Sequence, residues 1–214
     1  KTLCNIHAPS GEELALSEFL LNYINTNKST WSVQPTIYHG EGFQDCIVLV
    51  FGKPTTAIFA HMDSIGFTVK YDNEIVKIGG PVTTEGITVV GEDSQGKIEE
   101  HIIHKEDDKG NKSLHIGGQL VDRGTSLTFK PDFRESNDFV QCCYMDNRLG
   151  VWNALKTAET LENGVICFSS WEEHGGGSVG YLAKFIYEKY GVKQALISDI
   201  TWVTKGVEHA KGVA

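Results

Sequence analysis

Two adjacent carboxylates, Glu172 and Glu173, follow the strand-like run Val165-Ile166-Cys167-Phe168-Ser169-Ser170-Trp171 and precede Gly175-Gly176-Gly177. Neighbouring side chains that leave a strand for a loop can point in different directions, so one carboxylate can bind a metal while the other moves a proton. Hydrolysis by a metal-activated water needs that division of labour. Alone, the pair also reads as a solvated loop, since acidic residues are mostly exposed.

Three further sites occupy the same kind of place. Ala57-Ile58-Phe59-Ala60 is a short apolar strand that runs into His61-Met62-Asp63, where residues two apart share a face. Gln194-Ala195-Leu196-Ile197-Ser198 delivers Asp199, and Val140-Gln141-Cys142-Cys143-Tyr144-Met145 delivers Asp146 at the start of a helical pattern. Ligands of open α/β sheets collect beyond the carboxyl ends of strands, so these residues can converge although they are far apart in the chain. Each also has a plainer reading. Asp146 can be a helix N-cap, His61 a satisfied buried histidine, Asp63 the start of a turn, and Asp199 a turn before Thr201-Trp202. Recurrence of one imidazole and several carboxylates at strand ends favours a metal site.

The elements that must position them are legible in outline. Ser10-Gly11-Glu12-Glu13 reads as a helix capping box, followed by an apolar face of Leu14, Leu20, Leu21 and Ile24. Strands are expected at residues 32–38 and 45–51, then before His61. From about Val69 to Asn137 glycines punctuate short β-rich runs such as 87–90 and 97–103, with no convincing helix, which indicates a small β domain inserted into an α/β one. Beyond it helix, strand, helix and strand alternate up to Asp199, with Leu149, Trp152, Leu155 and Leu161 as the first helix's apolar stripe. The division is therefore residues 1–68 and 138–214 for the α/β domain and 69–137 for the insert. Lys105-Glu106-Asp107-Asp108-Lys109-Gly110 lacks the ligand spacing of a calcium hand and reads as a hairpin tip. His101, His104 and His115 read as surface or packing residues.

A chain of 214 residues with 40% apolar and 22% charged residues can bury a substantial core, and no apolar run is long enough to span a membrane. Net charge is −9, from 28 acidic against 19 basic residues, with no basic tract, which argues against nucleic acid as a partner. Five cysteines, Cys4, Cys46, Cys142, Cys143 and Cys167, form no Cys-x-x-Cys, and no secretory signal is evident, so buried free thiols in the cytoplasm are expected. The chain begins at Lys1, which leaves a removed leader open.

The motifs together resemble the glutamyl aminopeptidase and cellulase M family of metallopeptidases, which includes the tetrahedral aminopeptidases. The resemblance lies in His61-Met62-Asp63-Ser64-Ile65-Gly66-Phe67, Asp146-Asn147-Arg148-Leu149-Gly150, Glu172-Glu173 and Asp199, in that order, and covers nearly the whole chain. It implies a three-layer αβα zinc-exopeptidase-like domain with a mixed central sheet, interrupted by a small β-barrel-like domain that supports oligomer assembly, possible sizes including a dodecamer. It also implies two divalent ions, zinc or cobalt. Asp146 would bridge them, His61 and Asp199 would complete one metal's protein ligands, and Glu173 would bind the other. Glu172 would be the general base, and Asp63 would orient His61. The expected activity is removal of N-terminal residues from peptides. The alternatives are a zinc hydrolase of acyl-amino acids or small amides, and a non-catalytic peptide-binding or assembly protein that keeps the fold.

Two departures stand out. The family takes a further histidine ligand near its C-terminus, whereas this chain stops at Ala214 and His209 comes too soon to match it. The chain is therefore expected to be a fragment with a weak second metal site. Around the glutamate pair the family's Gln-Glu-Glu-Val-Gly is replaced by Trp171-Glu172-Glu173-His174-Gly175; Trp171 and His174 are expected to pack beside the pocket.

Overall fold

Strands buried on both faces read as near-continuous apolar runs, and Cys46–Phe51 is such a run. A computed structural model describes residues 1–201. The chain begins with α1 (Leu14–Asn27), β1 (Thr36–Gly40), β2 (Gln44–Phe51) and β3 (Thr56–His61). Six strands follow: β4 (Gly66–Val69), β5 (Glu74–Ile78), β6 (Thr88–Asp93), β7 (Gly96–Glu106), β8 (Lys112–Ile116) and β9 (Ser126–Phe129). A short ribbon, β10 (Arg134–Glu135) and β11 (Val140–Gln141), leads to α2 (Met145–Ala158), β12 (Gly164–Ser169), α3 (Val179–Tyr190) and β13 (Gln194–Ile197). Residues 202–214, His209 among them, lie outside the described residues.

The central sheet has the order β1-β2-β12-β3-β13. β12 and β13 run parallel to β3, and β2 runs antiparallel to β12 and β1, so the sheet is mixed. Alternation along β2 decides the layers: Ile47, Leu49 and Phe51 pack with Leu16, Leu20 and Ile24 of α1 and Val151, Ala154 and Leu155 of α2. Cys46, Val48 and Val50 pack on the other face with Leu182 and Ile186 of α3. This is the expected three-layer αβα arrangement with a mixed sheet. Truncating a fully buried side chain such as Phe51 to alanine costs about 3–5 kcal/mol in such a core.

The helices bury stripes that overlap those expected in part: Leu20, Ile24 and Leu155 are in the core, with Leu21 and Leu161 packed against it. In α1 the face is Leu16, Leu20 and Ile24, while Leu14 is exposed on the first turn. In α2 it is Val151, Ala154, Leu155 and Ala158, while Leu149 and Trp152 are exposed and Leu161 lies beyond the helix. Small Ala154 and Ala158 let α2 approach β3 and β12 closely, a role that the larger side chains could not fill. The capping box is also absent. Ser10 Oγ has no partner, and Glu13 directs its side chain to Gly11 N–H and out of the helix.

The strand expected before Asp146 shrinks to the two residues of β11, which pair only with β10. Too short to bury a face, this ribbon leaves Cys143 exposed and Cys142 half-buried, contrary to the expected core packing, whereas Cys4, Cys46 and Cys167 are buried.

In sequence between β3 and α2, strands β4-β5-β8-β7-β6-β9 close into a barrel around Phe67, Val69, Ile75, Val89, Ile102, Ile116 and Leu127. Closure leaves it no free strand edge. Asp107 closes the β7–β8 turn by accepting the N–H groups of Lys109 and Asn111, as a hairpin tip. The segment before α1 ties the barrel to the sheet: the His7 ring meets Ser126 Oγ at 2.9 Å and Thr128 Oγ1 at 3.1 Å on β9, and Ser126 Oγ–H donates to Glu12.

Candidate metal centre

Strand register brings the candidate residues level. Ser169 of β12 pairs with His61 of β3, and Ile197 of β13 pairs with Phe59, so the chain two residues past Ile197 reaches the level of His61 with Asp199. The carboxyl ends of three neighbouring parallel strands therefore open on one place, as expected for an open α/β sheet.

His61, Asp146 and Asp199 each present a ligand atom there, all within 4.8 Å of one another. His61 is buried, and its Nε2 lies 3.1 Å from Asp146 Oδ1 and 3.7 Å from Asp199 Oδ1. On the other side Nδ1 is 3.4 Å from Asp63 Oδ1, an ion-pair contact off the line of a hydrogen bond. Burial alone would lower the imidazole's pKa, but Asp146 and Asp63 outweigh it and hold it at about 10.

Asp63 is fully buried and does more than face His61. Its Oδ1 accepts Glu172 N–H and its Oδ2 accepts Glu173 N–H, each at 3.0 Å. Burial works against its ionised form, yet His61 and these two N–H groups win and hold its carboxyl below the usual range. The glutamates occupy a single 3₁₀ turn, Glu172–His174. Burial, then Asp146, pushes Glu173 up to about 7; burial also raises Glu172, with the nearby His61 opposing and Asp199 adding to it. Glu172 and Glu173 thus share the electrostatic environment of the cluster but do not join its three-residue set of close donors. Gly79, after β5, packs on Glu173: a Cβ there would lie 2.6 Å from Glu173 Oε2, so the barrel forms one wall of the site. Trp171 and His174 are exposed, where burial beside the pocket was expected.

Asn147 is a site residue without an obvious chemical signature. Its Oδ1 accepts Gly150 N–H at 3.1 Å, capping the regular part of α2, and its Nδ2–H donates to Ser198 O at 2.8 Å. Asp146 and Asn147 keep non-helical backbone, and the peptide between them is cis. Because Asn147 serves as the cap, the Asp146 carboxylate is free to face His61, which removes the plain N-cap reading of Asp146. Ser198 adds an O–H bond to Gly150 O, so residues 146–150 and 198–199 form one knot.

One imidazole and two carboxylates aimed at a common point, with two more carboxylates beside them, suit a divalent cation. Such oxygen and nitrogen donors fit zinc, cobalt or manganese. The excess of negative charge around a single histidine makes the same demand.

No family model and no curated protein matches the chain. Solved structures do. The Pyrococcus horikoshii TET1 peptidase, which can assemble into a tetrahedron or a large octahedral shell, superposes with a TM-score of 0.70 at 20% identity over 96% of this chain and 69% of that one. An aminopeptidase from Desulfurococcus kamchatkensis gives 0.70 at 21% identity over 96% and 64%, and an endoglucanase from Thermotoga maritima 0.66 at 17% over 92% and 64%. The shared fold is the one that the sequence resemblance implies. The chain spans 64% to 69% of the length of these three structures.

Proposed function

We propose that this chain carries the site of a metal-dependent aminopeptidase that releases N-terminal residues from peptides. The observation behind this reading is the meeting of His61, Asp146 and Asp199 beside a glutamate pair, on a fold shared with a solved aminopeptidase. In this reading His61 and Asp199 hold one divalent ion, Glu173 a second, and Asp146 lies between them. When bound, such a pair of ions polarises the scissile carbonyl and acidifies water. Glu172 accepts the proton from the attacking water and delivers it to the leaving amine. Burial raises its carboxyl above its ordinary range. Asp63 anchors the backbone of both glutamates and faces His61 Nδ1, which directs Nε2 toward the ion. By likeness to the TET1 peptidase, the reading includes homo-oligomer assembly, a dodecamer among the sizes, with residues 69–137 as the assembly domain.

The test is hydrolysis of a peptide panel with added zinc or cobalt, with and without a chelator, alongside acyl-amino acids. Glu172→Gln is expected to retain metal and lose about 10²–10⁴-fold in turnover, whereas Glu173→Ala loses metal at one site. Chelator-insensitive cleavage, or equal metal loss in both variants, would refute the assignment.

A further inference from the structure

Glu13 is fully buried, yet its side chain neither caps the helix that it precedes nor, among the described residues, pairs with a basic side chain. Its Oε1 accepts two backbone N–H groups, from Gly11 at 3.0 Å and from Trp171 at 2.9 Å. Trp171 stands in the left-handed region with φ 64°, a conformation that a bulky residue holds only when its surroundings enforce it. It also directly precedes the glutamate pair. With Asp63 accepting from Glu172 and Glu173, three successive N–H groups, 171 to 173, end on two buried carboxylates from separate elements.

Such an arrangement is costly. Glu13 Oε2 has no hydrogen-bond partner among the described residues, and burial lifts the carboxyl above its ordinary range. The buried Arg148 guanidinium, in electrostatic reach of both Asp63 and Glu13, offsets part of the charge. For stability alone, an apolar residue of similar size would serve this interior position as well. What an apolar residue cannot do is accept the Trp171 N–H.

We infer that Glu13 is a positioning residue for the Glu172–Glu173 pair: it holds Trp171 in its left-handed turn and so sets the direction in which both carboxylates leave β12. What the pair does rests on the metallopeptidase reading; how it is held does not.

The experiment compares the wild-type protein with Glu13→Asp, Glu13→Gln and Glu13→Ala by calorimetric zinc titration and by hydrogen exchange of the amides of residues 171–173. Glu13→Asp keeps the charge but withdraws the oxygen by one methylene. It is expected to weaken the zinc site that depends on Glu173 by about tenfold and to speed exchange at Trp171 by about tenfold. Glu13→Gln, whose amide oxygen still accepts both N–H groups, is expected to return both values to within about threefold of wild type. A purely structural role would lower the melting temperature of Glu13→Asp and leave zinc affinity and exchange unchanged; that result overturns the inference. Should Glu13→Ala fail to fold, the aspartate and glutamine variants decide. If the wild-type chain binds zinc at the His61–Asp199 site alone, or binds none, in which case the metallopeptidase reading falls, exchange alone decides the role of Glu13: faster exchange at 171–173 in Glu13→Asp sustains it, and unchanged exchange overturns it.

Discussion

Replacing Gly150 with alanine should loosen the metal centre without touching any of its donors. A Cβ built on Gly150 lies 2.2 Å from Ser198 O and 2.2 Å from Asn147 Oδ1, whereas real Cβ contacts essentially never fall below 3.0 Å. Helix and loop must therefore separate by about 0.8 Å or more, and both contacts are the ones that join Asp146 to Asp199. Separation breaks the Asn147 cap on Gly150 N–H and the Asn147–Ser198 bond, each worth about 1 kcal/mol. With the strain of an inserted methyl, the total loss is about 2–4 kcal/mol. Metal–ligand distances tolerate shifts of only about 0.2 Å, so zinc affinity should fall by roughly 10–100-fold. Thermal unfolding of metal-free protein measures the first effect and calorimetric zinc titration the second. An alanine variant with wild-type melting temperature and wild-type zinc affinity would show that the 146–150 and 198–199 knot does not set the site.

Two other outcomes follow from the way the barrel is attached. Burial is the main force holding His7 below its ordinary pKa of 6.5, with Glu12 opposing, so the unfolded chain binds the proton more readily than the folded one. The stability that His7 contributes is then complete above about pH 6.5 and is lost as pH falls below that value toward the folded pKa; melting temperature should drop more steeply between about pH 7.5 and 5.5 in wild type than in His7→Gln, and equal slopes would refute this role of His7. Replacing residues 69–137 with a short linker should leave the α/β part soluble and give a smaller particle in light scattering; an unchanged mass would rule out assembly through the barrel.

The candidate site was legible in the sequence because its parts are local signals. His61, Asp146, Glu172-Glu173 and Asp199 each follow a strand-like apolar run, and the side-chain alternation that marks a strand is a property of a few consecutive residues. Glycines between short β-rich runs marked an inserted β domain, and alternation of strand and helix after residue 138 marked an α/β layer; the barrel and the mixed three-layer sheet came from the family resemblance. Helix faces were read less well: in α2 the small Ala154 and Ala158, not the larger Leu149 and Trp152, meet the sheet, and in α1 Leu16 takes the place expected for Leu14.

The sequence by itself marked which residues were candidates for chemistry and placed His61, Asp199 and the glutamate pair at or beyond strand ends, whereas Asp146 stands at the start of α2. Only the tertiary structure decided that they meet. The register of β12 and β13 against β3 brings Ser169, His61 and Asp199 level, Asn147 takes over the helix cap and frees Asp146, and Glu13 reaches Trp171 across 158 residues of chain. Contacts of that kind are fixed by the packing of distant segments against one another. Local propensity and periodicity carry no information about them, which is why Glu13, read as half of a capping box, holds a turn on the far side of the chain instead.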